Sequence, residues 1–171
     1  MSAAAGDSAR VTVMVAVSPE VAFEVFTKEI DLWWRRGPRF RPIGRKPGVL
    51  HFEGGVGGRL FEAYGEAPGQ QLVEMGRITA WDPPSHLAFE WKNSTFAADE
   101  RTEVLVRFRG IHGKTEVTVE HRGWSALRDD HPARHGLVGA AFSRSIGMFW
   151  GDLMSAMREH VSTNRAPSSA H

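Results

Sequence analysis

The chain has 171 residues, of which 42% are apolar and 24% charged, with a formal net charge of +1 and no cysteine. This length suits one domain, and the near-neutral charge gives no general attraction to nucleic acid or anionic membranes. Disulfides and thiolate chemistry are excluded, so a reducing cytoplasm is compatible and is the predicted location. No apolar run approaches the roughly 20 residues of a membrane span, and the N-terminus lacks a secretory pattern.

The first part of the chain predicts a strand followed by two helices. Residues 1–9 are small and polar and are predicted to be disordered, whereas residues 10–17 alternate four valines with other side chains, as in a strand with one buried face. Ser18 and Pro19 are typical of a helix start, and the helical stripe runs to about Thr27. A second short helix is predicted to carry three apolar residues: Ile30, Trp33 and Trp34.

A basic loop over residues 35–48 separates these helices from the next strands. It contains five arginines, one lysine, three prolines and three glycines. Both an anion site at a pocket mouth and a solvated connection fit this composition. Strands are predicted at residues 51–53 and 59–64, with a glycine-rich turn at 54–58. No Lys-Thr pair follows these glycines and they open no helix, so a phosphate-binding loop is not predicted.

Residues 76–91 predict two strands joined by a tight turn at residues 82–85, where two prolines cannot donate to a strand ladder. Before the turn, Ile78 and Trp81 break the alternation, which predicts a bulge. After the turn, three large apolar residues share one face: Leu87, Phe89 and Trp91.

Two strands with strict alternation follow, over residues 103–109 and 115–122. Such alternation is typical of antiparallel sheets with one buried and one solvated face, and it places His121 on the buried face. From about Gly136 to His160 the period becomes helical, which predicts a helix of roughly 25 residues, nearly 40 Å long.

The element order predicts a single α+β domain over residues 10–161, followed by a disordered tail over residues 162–171. A curved antiparallel sheet of about six to seven strands would wrap around the long C-terminal helix, with two short helices after the first strand. Since one helix about 10 Å wide cannot fill such a concavity, we expect a cavity lined with aromatic side chains.

Several motifs between residues 10 and 160 occur together: Ser18-Pro19-Glu20, Trp33-Trp34, Gly57-Gly58-Arg59, Gly76-Arg77-Ile78, Asp82-Pro83-Pro84 and Glu120-His121-Arg122-Gly123-Trp124. With them the chain resembles the START-like, SRPBCC superfamily, which has the helix-grip (Bet v 1-like) fold. Within it, the chain is most similar to the family named after the activator of heat-shock-protein-90 ATPase. The superfamily includes lipid and steroid carriers, polyketide cyclases, hormone receptors and co-chaperones, so the resemblance implies the fold and leaves the function open.

The leading functional hypothesis is a cavity that holds a small hydrophobic or aromatic molecule. The residues predicted to line it are mostly aromatic, with core packing as the alternative for each: Trp33, Trp34, Phe40, Phe52, Phe61, Met75, Trp81, Phe89, Trp91, Phe108, Val119, His121, Phe142, Ile146, Phe149 and Trp150. A cyclase-like enzyme and a co-chaperone-like interaction module remain alternatives. Neither nucleic acid nor membrane insertion is expected, monomer and homodimer both stay open, and a chaperone is a further candidate partner.

His121 is the candidate catalytic residue, as a general base or as a donor that orients a ligand, and a hydrogen-bonded structural histidine is the alternative. Its predicted carboxylate partner is Glu53 or Glu62. His131 and His135 are four residues apart, but the intervening proline and the missing third ligand argue against a metal. No cofactor and no metal are expected, and covalent catalysis is not supported, because cysteine and a G-x-S-x-G elbow are absent.

Overall fold

In a computed structural model, which describes residues 6–42 and 48–164, seven strands and three helices make up most of the chain. The strands are β1 (Ala9–Val15), β2 (Gly48–Phe52), β3 (Arg59–Tyr64), β4 (Gln71–Asp82), β5 (His86–Trp91), β6 (Thr102–Ile111) and β7 (Lys114–Arg122). The helices are α1 (Pro19–Lys28), α2 (Ile30–Trp33) and α3 (Gly139–Asn164), with short 3-10 turns at Trp124–Ala126 and Pro132–Arg134. The strands pair antiparallel in the order β1-β7-β6-β5-β4-β3-β2, and the curved sheet grips α3, so the predicted α+β helix-grip fold is confirmed.

The start of α1 follows from two residues. The side chain of Ser18 accepts a hydrogen bond from the Val21 N–H at 3.3 Å, and Pro19 occupies the first turn, where its missing N–H costs nothing. The helix packs Phe23 and Phe26 onto the sheet, where each ring contacts Phe108 of β6. This contact fixes the N-terminal helices over one half of the concave face.

The hairpin of β4 and β5 is tight at both ends. At its turn, the Ser85 N–H donates to the Asp82 carbonyl at 2.8 Å, and the predicted bulge is present as a register shift between Ile78 and Ala80. At its base, a Cβ atom at Gly76 would lie 1.9 Å from the carbonyl oxygen of Glu90. Only glycine permits this approach of the two backbones.

Four rings fill much of the space between the sheet and α3. Trp34, Trp91, Phe149 and Trp150 all contact one another, with ring centroids between 5.6 and 6.5 Å apart. We call these four residues the aromatic cluster. Because protein interiors pack to the density of organic crystals, a cluster of this volume leaves only a small remainder of the expected cavity.

Helix α3 begins three residues later than predicted. His135 and Gly136 have φ angles of 49° and 79°, and they end the 3-10 turn at Pro132–Arg134 before α3 begins. The C-terminus also differs, since α3 continues to Asn164. The predicted disordered ends fall partly on residues 1–5 and 165–171, which lie outside the described residues, so the domain limits stay a prediction.

No helix in the described part of the chain is both long enough and apolar enough to cross a membrane.

Candidate functional site

A cavity of about 170 Å³ lies between the sheet and α3. Apolar and polar residues contribute about equally to its lining, and the apolar ones come from three places: Trp91 on β5, Ile146 and Phe149 on α3, and Trp124 and Ala133 between β7 and α3. A dry apolar cavity of about 150 Å³ accommodates a benzene ring. The cavity therefore has room for one ring with a small substituent.

His121 lies in the wall of this cavity and is tied into a chain of hydrogen bonds. The Trp150 indole N–H donates to His121 Nδ1 at 3.0 Å, and an indole N–H can only donate, so the ring proton is assigned to Nε2. Nε2–H then donates to Thr102 Oγ1 at 2.6 Å. The Thr102 hydroxyl donates in turn to the Trp91 carbonyl at 3.3 Å. Both ring nitrogens are occupied by protein groups.

The environment of His121 also fixes its charge. The side chain is 1% exposed, and burial lowers its pKa to about 3, because the imidazolium would lose its hydration among tryptophan rings. The ring is therefore neutral near pH 7 and has no free lone pair for a substrate proton. This geometry favours the structural alternative over a general base.

The predicted carboxylate partner of His121 is wrong. Glu53 pairs with Arg59 at 2.8 Å, and Glu62 pairs with Arg41 at 3.2 Å. The reason is the strand order, which places β4, β5 and β6 between the strand of Glu62 and that of His121. Hydroxyl and indole groups on nearer elements take the place of the carboxylate.

The rim of the cavity is polar. Arg39, Asn93, His135 and Ser145 contribute to its lining. Arg39 also pairs with Asp152 at 2.7 Å, and both side chains are about half exposed. Such exposed pairs contribute only about 0–1 kcal/mol, so the guanidinium remains available to a competing anion.

Trp124 carries an unsatisfied donor. Its side chain is buried and lines the cavity, and its Nε1–H is the only buried side-chain polar group without a hydrogen-bond partner in residues 6–42 and 48–164. Its ring packs against His121, with centroids 4.8 Å apart, and against Phe142 at 4.9 Å. The nitrogen has almost no accessible surface, so this donor lies against the surrounding rings and is not exposed to a molecule in the cavity.

The predicted lining residues fall into four groups. The cavity brings together Trp91, His121, Ile146 and Phe149. A larger group is buried in the core and does not line the cavity: Trp33, Trp34, Met75, Phe89, Phe108, Val119, Phe142 and Trp150. Three more are partly buried against that core: Phe40, Phe52 and Trp81. Phe61 lies away from the cavity, stacked on His51 with ring centroids 5.1 Å apart.

Two wall residues, Trp124 and Ala133, and the four rim residues lie outside the predicted set. Trp124 ends the predicted strand of His121, so its position in that motif is the one sequence signal that points to the cavity. The rim residues Arg39, Asn93 and His135 belong to connections between elements, where neither alternation nor helical period determines which way a side chain faces.

The basic loop is attached to the domain through Arg41. This side chain is 4% exposed and contacts Asp31 at 2.6 Å and Glu62 at 3.2 Å. Burial raises the pKa of Glu62, although Arg41 beside it acts in the opposite direction. The Tyr64 hydroxyl also donates to Glu62. Arg41 thus joins α2 to β3 rather than offering an anion site, while residues 43–47 of the loop lie outside the described residues.

A larger groove of about 400 Å³ lies outside the grip of sheet and helix, between α1 and the turn of the β4–β5 hairpin. Phe23, Trp81, Pro83 and Pro84 give it an apolar surface, and Glu20, Glu24 and Lys28 contribute to its lining. The groove is more open than the cavity beside His121. Because a small molecule is held best where protein surrounds most of its surface, the cavity is the better site despite its smaller volume.

His131 and His135 do not meet in a metal site. His131 Nε2 lies 3.0 Å from a Glu100 carboxylate oxygen, and its Nδ1 accepts the Ala133 N–H at 3.1 Å. Within residues 6–42 and 48–164, no group of three or more potential metal ligands is close enough to hold an ion.

A protein-family model matches most of the chain. The model of the family described as Activator of Hsp90 ATPase homolog 1-like protein matches residues 16–144. No curated protein matches the chain at a significant level.

Solved structures share the fold. An Hsp90 activator from Plasmodium falciparum aligns with a TM-score of 0.58 and 18% identity, over 92% of this chain and 95% of that one. The Aha1 dimer from Colwellia psychrerythraea gives 0.57 and 14%, over 89% and 93%. DynU16, a protein from the dynemicin biosynthetic locus, gives 0.60 and 17%, over 92% of this chain and 48% of that one. At these identities the likeness shows the fold alone.

Proposed function

The chain belongs to the family of activator of Hsp90 ATPase homolog 1-like proteins, and we propose that it binds a small hydrophobic or aromatic molecule in the cavity between the sheet and α3. The observation that carries this proposal is the concave, ring-sized space between Trp91, Trp124 and Phe149. Sites for small molecules are typically concave and combine apolar side chains with polar groups that fix the orientation of the ligand, and both kinds of residue line this cavity.

The volume defines the size of the ligand. At about 170 Å³ the cavity is smaller than the roughly 300–1,000 Å³ of sites that hold drug-sized molecules. We therefore expect single-ring aromatic compounds to bind, and sterols and long fatty acids to bind only if the aromatic cluster moves.

The state of His121 favours binding over catalysis. A general base needs a lone pair within hydrogen-bond distance of the substrate proton and a pKa near the working pH. His121 uses Nδ1 to accept the Trp150 N–H, and burial lowers its pKa to about 3. A cyclase-like activity, the enzymatic alternative, would require another residue as the base.

A thermal-shift experiment with a matched pair of variants tests the proposal. Toluene, benzamide, benzoate, indole, cholesterol and oleate would be added to wild type, to Ile146→Trp and to Met148→Trp. Ile146 lines the cavity, whereas Met148 lies two residues further along the same helix and is 65% exposed. The same bulky side chain thus fills the cavity in one variant and points to solvent in the other.

A ligand at about 100 times its dissociation constant adds about 2.7 kcal/mol of stability, which raises the melting temperature by roughly 5–10 °C in a chain of this size. We expect this shift for single-ring compounds with wild type and Met148→Trp, and none with Ile146→Trp. If no compound of the panel stabilises wild type, or if Ile146→Trp responds equally, the proposal is wrong.

Interaction with a chaperone ATPase is the second candidate, and the observation that favours it is the family itself, together with the fold shared with the Plasmodium falciparum activator. The apolar groove between α1 and the β4–β5 turn would be the contact surface. Stimulation of a purified Hsp90 ATPase by the wild-type chain and its loss in Trp81→Glu would support this role. An unchanged ATPase rate would exclude it.

A further inference from the structure

Phe149 stands out among the residues of the cavity, and we propose that it determines the size of the bound molecule: its ring, restrained by Phe40, closes the cavity against a second aromatic ring. This inference rests on the proposed function and adds the residue that sets its selectivity. Two observations support it. Phe149 connects the cavity to the filled core, and a loop residue stacks on its ring.

Phe149 lies between the cavity and two buried tryptophans. It lines the cavity, and its ring centroid is 5.6 Å from that of Trp150 and 6.5 Å from that of Trp34, neither of which lines it. Both tryptophans are at most 2% exposed, so at this wall the space of about 170 Å³ ends on the Phe149 ring. Removing a buried ring leaves a cavity in its place, because the surroundings relax only partly. A variant without this ring would therefore have room for about one ring more.

Phe149 differs from the other rings of the wall. Trp91 and Trp124 are 8% and 3% exposed, and His121 is hydrogen-bonded at both of its ring nitrogens. Phe149 is only partly buried, and its side chain has no hydrogen-bonding group. A smaller side chain at this position thus enlarges the cavity without leaving a buried polar group unpaired.

A loop residue restrains the Phe149 ring. Phe40 stacks on it with ring centroids 5.4 Å apart, and the Phe40 carbonyl accepts the Trp34 indole N–H at 2.9 Å. The neighbouring Arg39 pairs at 2.7 Å with Asp152, which lies three residues after Phe149 on α3 and so on the same side of the helix. Two consecutive loop residues therefore attach to one turn of α3, and this attachment keeps the Phe149 ring against the cavity.

The test is an NMR titration of the full chain with toluene, which has one ring, and naphthalene, which has two. We expect wild type to bind naphthalene at least about tenfold more weakly than toluene, since even one methylene group in an apolar pocket changes selectivity by about 10–200-fold. Phe149→Ala should reverse this preference. Phe149→Leu keeps a larger apolar side chain in the core and should shift the preference in the same direction, so it replaces Phe149→Ala if that variant does not fold.

Phe61→Ala is the matched control. It removes another partly buried phenyl ring, one that lies outside the cavity, and should change neither affinity. Phe40→Ala keeps the Phe149 ring and removes its restraint, so it should bind naphthalene more tightly than wild type and more weakly than Phe149→Ala. In wild type, bound toluene should show nuclear Overhauser effects to the ring protons of Phe149, which tests the contact without any substitution.

An unchanged ratio of the two affinities in the Phe149 variants, or toluene bound without an Overhauser effect to Phe149, would overturn this role of Phe149. Either result leaves the proposed function intact, because toluene still binds. A naphthalene affinity of Phe40→Ala equal to that of wild type would overturn the restraint by Phe40. Failure of toluene and of the wider panel above to bind wild type would instead refute the proposed function.

Discussion

His121 makes a quantitative prediction about stability and pH. Its pKa is lowered to about 3 in the folded chain by burial, while an unfolded histidine titrates near 6.5. Between these values the unfolded state binds a proton that the folded state excludes. The contribution of His121 to the free energy of unfolding is therefore complete well above pH 6.5 and is lost progressively as the pH falls through about 6.5 towards 3.

The expected size follows from the same two values. Each pH unit within the window corresponds to about 1.4 kcal/mol, and the unfolded histidine is already partly protonated at pH 7. Acidification from pH 7 to pH 5 should thus cost about 2 kcal/mol through His121 alone. The rings and hydroxyl around it, those of Trp91, Trp124, Trp150 and Thr102, carry no charge that would offset this cost.

The assay compares wild type with His121→Gln by urea denaturation at pH 7 and pH 5. A glutamine can still accept the Trp150 N–H and donate to Thr102 but does not titrate, so it keeps the hydrogen-bond pattern and removes the proton. We expect wild type to lose about 2 kcal/mol more than the variant between the two pH values. Equal losses would show that His121 does not titrate as an isolated buried base and would refute the reasoning.

Two further predictions concern the scaffold. Gly76→Ala should cost at least about 3 kcal/mol, the scale of the larger single-residue effects, because its Cβ would lie 1.9 Å from a backbone carbonyl on β5. In contrast, a Cβ at Gly147 would have no heavy atom within 4 Å, so Gly147→Ala should stabilise α3 by up to about 1 kcal/mol. Paired thermal melts of the two variants measure both effects. Arg41→Leu should cost about 3–5 kcal/mol in urea denaturation by leaving Glu62 buried without its cation, and the double variant with Glu62→Leu should recover much of that loss. A double variant no more stable than Arg41→Leu would contradict this account.

Local patterns predicted most of the fold. Valine alternation, the Ser18-Pro19 helix start and the proline turn each act within a few residues, and the structure confirms the elements that they imply. Helix α3 begins three residues after the predicted start at about Gly136, because His135 and Gly136 belong to the turn that precedes it. Backbone conformation at such a position depends on the packing of the connection, which a helical period does not record.

The candidate site was less accessible to prediction. Alternation correctly placed His121 on the buried face, but it does not say which strand lies beside which, so the carboxylate partner was assigned from strands that proved distant. Trp124, Arg39 and Asn93 come from connections and meet only after the sheet has curved around α3. Aromatic content alone could not distinguish a lined cavity from the filled core that the aromatic cluster forms.

The same arrangement that stops His121 from acting as a base also determines where selectivity can arise. A chain of hydrogen bonds runs from Trp150 through His121 and Thr102 to the Trp91 carbonyl, and each polar atom in it is hydrogen-bonded to another protein group. A ligand beside this wall can gain only packing energy from it, and packing distinguishes molecules by shape more than by functional group. Discrimination by functional group must therefore come from polar groups outside this chain of hydrogen bonds, such as Arg39 and Asn93 in the lining of the cavity.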